Sequence, residues 1–254
     1  MYILTVANQK GGVGKSTTSF VVGSILRAQG YRVLLVDGDG QGNLGRMAKA
    51  GSGSTTLFDV LHGADIHTAI QDAPKGFILP SDERLAADRT PAADLLKRFT
   101  ALFNAVSGNF DIAIVDTQPS LSPVTVAAIA ASNGVLVPTK PDLFSIDGLG
   151  AFGKNITDLQ KINPQLRIVG VVCTQYAKNT SVHRAVLPSL RAQAQLLHTT
   201  LYEPPVRRSI ALEELQFTGD LPKTGAVDDY LNITKKLIRD IGLKKGCATN
   251  EQRR

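Results

Sequence analysis

Lys10-Gly11-Gly12-Val13-Gly14-Lys15-Ser16-Thr17 is the stretch on which the fold turns. An apolar run, Ile3 to Ala7, precedes it, and a helix-like run, Thr17 to Ala28, follows. Strand, glycine-rich loop and helix in that order are the setting a phosphate-binding loop requires. Glycines let successive N–H groups turn inward as a nest, and the next helix adds its unpaired N-terminal donors and positive dipole end. Lys15 is then placed to reach β- and γ-phosphates, and the Ser16 hydroxyl to ligate Mg2+. One departure from the common loop is informative. The glycine usually found five residues before the Gly-Lys pair is replaced by Gln9, and a second lysine, Lys10, follows it. A charge there makes sense if it meets a phosphate, that of a neighbouring subunit included.

Working outward, Val33-Leu34-Leu35-Val36 reads as a fully buried parallel strand ending in the loop Asp37-Gly38-Asp39-Gly40-Gln41-Gly42-Asn43. Open α/β sheets place their ligands at such carboxyl ends. A nucleotide hydrolase must orient a water in line with the γ-phosphorus, and a strand-end carboxylate beside the phosphate loop suits that task. Asp111-Ile112-Ala113-Ile114-Val115-Asp116 is the next buried strand, and Asp116 at its tip has the pattern of a Mg2+ holder.

The remaining elements alternate. A short helix is expected over Thr55–Leu61, capped by Ser54 or Thr55, and a weak strand over Phe77–Leu79. Helices are expected over Ala92–Val106, Ser122–Ala131, Ile146–Ile162, Val182–Leu197 (kinked at Pro188) and Val227–Ile241. Strands are expected over Val135–Val137, ended by Pro138, over Ile168–Cys173 and over Thr200–Tyr202. The alternation predicts an α/β fold, a doubly wound, mainly parallel sheet, as one domain over residues 1–241 with a polar, fraying tail over 242–254.

The 254 residues, 43% of them hydrophobic, suffice for one substantial domain. A net charge of +6 suggests a polyanionic partner without choosing between nucleic acid and an anionic membrane. Two distant cysteines, Cys173 and Cys247, argue against a disulfide framework or a zinc site and fit a reducing cytosol. The chain begins directly in a strand without a leader pattern, and no apolar run approaches the roughly 18 residues of a membrane span.

Asn8-Gln9-Lys10-Gly11-Gly12-Val13-Gly14-Lys15-Ser16-Thr17 resembles the deviant phosphate loop of the ParA/MinD family of dimerising P-loop ATPases, on its ParA, DNA-partition branch. The resemblance implies ATP and Mg2+ as ligands, with Gly11 to Thr17 around the phosphates. It implies a homodimer that sandwiches nucleotide, Lys10 reaching the partner's phosphates. The family's second loop usually reads Asp-x-Asp-Pro-Gln-Gly-Asn. Asp39 then matches the residue that orients the attacking water, and Asp37 a neighbour in the Mg2+ shell; Gly40 replaces the proline. Gln118 likewise replaces the first proline of the usual Asp-x-Pro-Pro after Asp116. Val137-Pro138-Thr139-Lys140-Pro141-Asp142 resembles the family's Val-Pro-x-x-Pro-Glu segment, and Leu201 to Arg208 its base-contacting turn, which makes Pro205 a candidate adenine contact.

Arg184 and Arg191 share one helix face, Arg207 and Arg208 follow the proline turn, and Lys235, Lys236 and Arg239 lie on the last helix. Each cluster alone reads equally as a solvated face. In a ParA-like chain they suggest a surface for double-stranded DNA that contacts phosphates without reading bases. The resemblance further implies a ParB-like or cargo adaptor that stimulates hydrolysis, and a cytoplasmic, nucleoid-associated protein that segregates a plasmid or chromosome. Positioning of a protein cargo over the nucleoid is the nearest alternative. A MinD-like membrane switch ranks lower, because Gly242 to Thr249 supplies few bulky apolar anchors.

Overall fold

A computed structural model describes residues 1–51 and 55–246. Strand β1 (Tyr2–Val6) runs through the glycine loop into α1 (Lys15–Ala28). Strand β2 (Val33–Gly38) is followed by the short helices α2 (Asn43–Ala48), α3 (Leu57–Leu61) and α4 (Ile66–Ala69). The hairpin β3 (Gln71–Ala73) and β4 (Gly76–Leu79) leads through α5 (Arg84–Ala87) to α6 (Ala92–Ala105). Then β5 (Ile112–Thr117), α7 (Pro123–Ala130), β6 (Gly134–Thr139), α8 (Leu143–Gln160), β7 (Arg167–Cys173) and α9 (Ser181–Leu196) alternate. The chain closes with β8 (Leu201–Tyr202), α10 (Ile210–Glu213), α11 (Leu215–Thr218) and α12 (Gly225–Ile241).

The eight strands form one sheet in the order β3-β4-β2-β5-β1-β6-β7-β8. Every pairing is parallel except that of β3 with β4. Successive residues of a strand face opposite sides. Val33 and Leu35 therefore join the cluster under α1 and α12, while Leu34 and Val36 join the one under α6 and α7. Both faces being covered, the strand shows an apolar run instead of an alternation. Helix α6 buries Leu95, Phe99, Leu102 and Phe103, an amphipathic spacing. Ser122 caps α7 by accepting from the Thr125 N–H, with Pro123 in its first turn.

In register, Val6 pairs with Asp116 and Asp37 with Asp116, so the ends of β1, β5 and β2 are level. Gly38 makes this possible: a Cβ there would lie 2.4 Å from the Asp116 carbonyl oxygen.

Several local expectations shift. The cap of α3 is Thr56, whose N–H donates to Asp59 Oδ2 at 2.9 Å; Thr55 lies outside that geometry and Ser54 outside the described residues. Strand β6 passes Pro138 and ends at Thr139. Its pairing with β1 stops at Leu136, so at Pro138 it has a neighbour on one side only and tolerates the missing N–H. Helix α9 runs through Pro188, as its expected span required. The start of the tail folds back: Leu243 N–H donates to Ile238 O, Gly246 N–H to Asp111 Oδ1 at 2.9 Å, and Lys245 sits over the Tyr31 ring. Cys173 is buried, and Cys247 lies outside the described residues.

Candidate active site

The glycine loop leaves β1 and enters α1 in a conformation that only glycine adopts without strain at two points, Gly12 (φ 67°) and Gly14 (φ 82°). Asn8 fixes its entry. The Asn8 side chain donates to Pro138 O at 2.7 Å and accepts from the Lys10 N–H at 3.0 Å. Lys15 is buried at the loop's centre, and its Nζ donates to Lys10 O at 3.2 Å. Burial pushes Lys15 below the usual lysine range, while Asp116 and Asp39 pull it back up. Lys10 points away from this centre. Its Nζ lies 2.5 Å from Asp142 Oδ2, and both side chains are about one-third exposed, 36% and 35%.

The three carboxylates differ in what they are free to do. Asp37 is fully buried and spends both oxygens on backbone: Oδ1 accepts from the Asp39 N–H and Oδ2 from the Gly45 N–H. Burial nevertheless pushes it up to about 6. In this structure it holds the loop and the start of α2. Asp39 engages Oδ1 with the Gln41 N–H at 3.0 Å, and its carbonyl accepts from Ser81 Oγ. Asp116 is fully buried; Oδ1 accepts from Ser19 Oγ at 3.2 Å, while Oδ2 has no partner. Burial, then the nearby Asp37 charge, pushes Asp116 up to about 8, and Ser16 opposes the shift. An unpartnered buried carboxylate oxygen beside a serine hydroxyl fits a hard cation. Among the described residues no trio of His, Cys, Asp or Glu gathers as a metal site, but Mg2+ needs only one or two protein ligands when phosphates and water complete its shell.

Gly40, the unusual residue of this loop, has a packing reason. A Cβ there would lie 2.9 Å from Ala86 Cβ, 3.0 Å from Ala86 N and 3.2 Å from Asp82 O. The segment from Asp82 to Ala86 thus packs directly against the loop at the position where the resemblance expects a proline. Gln118, the other departure, donates to the Ser122 hydroxyl that caps α7.

A cavity of about 410 Å³ opens over the loop, lined by Gly12, Gly14, Lys15, Ser16, Thr17 and Asp39 among others. A neighbouring one is bounded by Gly14, Thr17, Val206 to Ser209 and Tyr230. Pro205, the residue the sequence offered for a base contact, is not among its walls. Val206 is drawn to the end of β7, its N–H donating to Cys173 O and its carbonyl accepting from the Tyr176 N–H, so the residues after it face the cavity.

The basic candidates separate. Arg191 of α9 pairs with Glu203, and Lys236 Nζ of α12 donates to Glu203 O at 2.6 Å, so both basic residues meet at Glu203. Lys235 is exposed with no ion pair among the described residues, and Arg239 stands beside Asp240. Arg184 donates to Lys178 O and Arg208 lies 3.6 Å from Glu213. Arg207 is committed: its Nε and NH2 donate to buried Asp229, both at 2.7 Å. A forked ion pair of this kind fixes the direction of its guanidinium while the side chain stays 60% exposed.

Residues 1–168 match the family described as AAA domain. Chromosome partitioning protein ParA of Caulobacter vibrioides is 32% identical to the chain over 257 residues, 93% of each. The chain belongs to the ParA/MinD family of P-loop ATPases. Chromosome-partitioning ATPase Soj of Thermus thermophilus is 33% identical over 195 residues, 74% of this ParA/MinD-family chain and 75% of Soj. The crystal structure of cobyrinic acid a,c-diamide synthase from Mycobacterium smegmatis, with bound ATP analogue and magnesium, superposes with a TM-score of 0.80 at 29% identity, covering 95% of this chain and 96% of that one.

The electrostatics of this family member's site carry a testable cost. Because folding raises Asp116, the group favours the folded state at pH below about 4 and opposes it increasingly as pH rises toward about 8. Asp116→Asn will therefore raise the melting temperature of the nucleotide- and Mg2+-free protein at pH 8 and flatten its decline between pH 4 and 8. Calorimetry across that range checks it; an unchanged slope shows that Asp116 does not carry the penalty.

Proposed function

We propose that the chain is a Mg2+-dependent partition ATPase whose ATP-bound homodimer holds DNA without regard to sequence and releases it after hydrolysis. The observation that carries the reading is the convergence, at three level strand ends, of buried Lys15, of Asp39 and of Asp116 with a free buried oxygen. The names of the relatives, a chromosome partitioning protein and a chromosome-partitioning ATPase, supply its biological direction.

Lys15 and the N–H groups of Gly11 to Thr17 bind the phosphates, and Lys10 reaches those of the partner subunit. Ser16 and Asp116 are the residues that would hold Mg2+, which neutralises charge on the β- and γ-phosphates when bound. Asp39 orients the attacking water, and Asp37 keeps the Asp39 turn in place. A ParB-like adaptor accelerates that step, and the protein works in the cytoplasm on the nucleoid. No helix among the described residues is long and apolar enough to cross a membrane.

Arg184, Arg191, Lys235, Lys236 and Arg239 supply DNA phosphate contacts, with Arg208 beside them. Binding measured over a salt series on unrelated duplexes tests the function. Affinity should require ATP, be alike for all sequences, and fall steeply with salt. Lys235→Ala should weaken every duplex equally and reduce the log–log slope by about 0.9, one released counterion. Strong preference for one sequence, or binding indifferent to ATP, would overturn the reading.

A further inference from the structure

The glycine loop is gripped from outside by two consecutive residues that follow β7. Gln175 Nε2 donates to Gly12 O at 2.9 Å. Thr174 Oγ1 lies 2.9 Å from Val13 O and 3.1 Å from Thr139 O, its single hydrogen shared between them. Thr174 is buried, and its own N–H donates to Thr139 O, so it is anchored to β6. Neither residue belongs to the phosphate loop; they lie 163 and 161 positions from the carbonyls they hold.

In a trans peptide the carbonyl and the following N–H point in opposite directions. Fixing Gly12 O toward Gln175 turns the Val13 N–H away from it, and fixing Val13 O toward Thr174 does the same for the Gly14 N–H. These are consecutive donors of the loop, flanked by the left-handed Gly12 and Gly14 that allow the peptides to be turned at all.

Gln175 itself has φ 55°, one of three non-glycine residues with positive φ among the described residues. That conformation is unfavourable for a side chain with a Cβ and persists only where surroundings impose it. Here it turns the chain back at the strand end and sends the glutamine amide onto the loop. Gln175 also lines both the cavity over the glycine loop and the neighbouring one bounded by Val206 to Ser209.

We propose that Thr174 and Gln175 are positioning residues, which aim the Val13 and Gly14 N–H groups at bound phosphate by holding the carbonyls behind them. The proposal rests on the nucleotide-binding reading above. The left-handed backbone makes it separable from simple stability. Gln175→Gly removes the strain together with the clamp. Gln175→Asn keeps the amide and a residue tolerant of positive φ, but is one methylene too short to reach Gly12 O. Thr174→Val keeps shape and loses the hydroxyl, and Thr174→Ser restores it.

The experiment titrates full-length protein with a fluorescent ATP analogue and with ADP, alongside melting temperature and steady-state kinetics. Gln175→Gly and Gln175→Asn should each weaken both nucleotides by about 3- to 10-fold, the size of one hydrogen bond, with the melting temperature unchanged or higher. KM should rise more than kcat falls. Thr174→Val should weaken binding similarly and Thr174→Ser should recover it. Wild-type affinity in both Gln175 variants would overturn the clamp, as would losses that follow the melting temperature. Lys15→Ala keeps the two readings apart: if that variant binds nucleotide normally, the nucleotide site itself is wrong; if it does not while the Gln175 variants do, only the clamp fails.

Discussion

Lys10→Ala will leave a monomer that still takes up ATP but no longer dimerises on it, and turnover and DNA binding will be lost with dimerisation. The geometry of the single subunit explains the split. Lys10 Nζ is held by Asp142 Oδ2 and does not share the pocket of Lys15; only the Lys10 carbonyl touches Lys15, and alanine keeps a carbonyl. Truncation therefore spares the subunit's own phosphate site. In a symmetric dimer the same lysine is used twice, so its loss removes two charge-assisted contacts at once. Arginine is not expected to rescue, because a forked guanidinium fills the tight loop differently from a point charge. Sedimentation with a non-hydrolysable ATP analogue decides the matter: a Lys10→Ala protein that dimerises and turns over as wild type reduces the chain to an ordinary P-loop ATPase. Asp142→Asn makes the converse test. Asparagine still caps α8, whose Ser145 N–H now donates to Asp142 Oδ1. Releasing an ion pair of this exposure, worth at most about 1 kcal/mol, should let dimers form at up to about fivefold lower protein concentration per subunit contact.

Asp39→Ala should reduce turnover by about 10²- to 10⁴-fold, the usual worth of a positioned carboxylate in proton transfer, while ATP affinity stays close to wild type. Asp39 makes one local side-chain contact, to the Gln41 N–H, and lines the cavity over the loop. Asp37, by contrast, is consumed by two backbone N–H groups. On the proposed function, then, Asp37 is the scaffold of the loop and Asp39 its reagent. With hydrolysis blocked, the variant should accumulate as an ATP-bound dimer, which light scattering detects. Normal turnover would move the water-orienting role to another residue.

Much of this architecture is legible in the sequence because a doubly covered parallel sheet writes itself as short apolar runs, and because the phosphate loop combines residue types that few other structures need. What escaped reading is instructive. Strand β3 is Gln71-Asp72-Ala73, of which only Ala73 is buried; a short antiparallel edge carries no periodic signal. Helices α2, α10 and α11 are too brief for one. The ion pair of Arg207 left no sign in the sequence, because Asp229 lies 22 positions away, on α12. Thr174 and Gln175 left no trace, since their contacts are side chain to distant backbone. Their place at the carboxyl end of a parallel strand was the available hint.

Gly40 constrains how this sequence can change. The space that a side chain at 40 would need is taken by Ala86 and by the backbone of 82 and 86, so trimming Ala86 alone would not open it. A side chain at position 40 and the present seating of α5 therefore compete for the same space, and one must give by a few tenths of an ångström. Gly40→Ala should accordingly lower the melting temperature, unless the segment from Asp82 to Ala86 is redesigned with it.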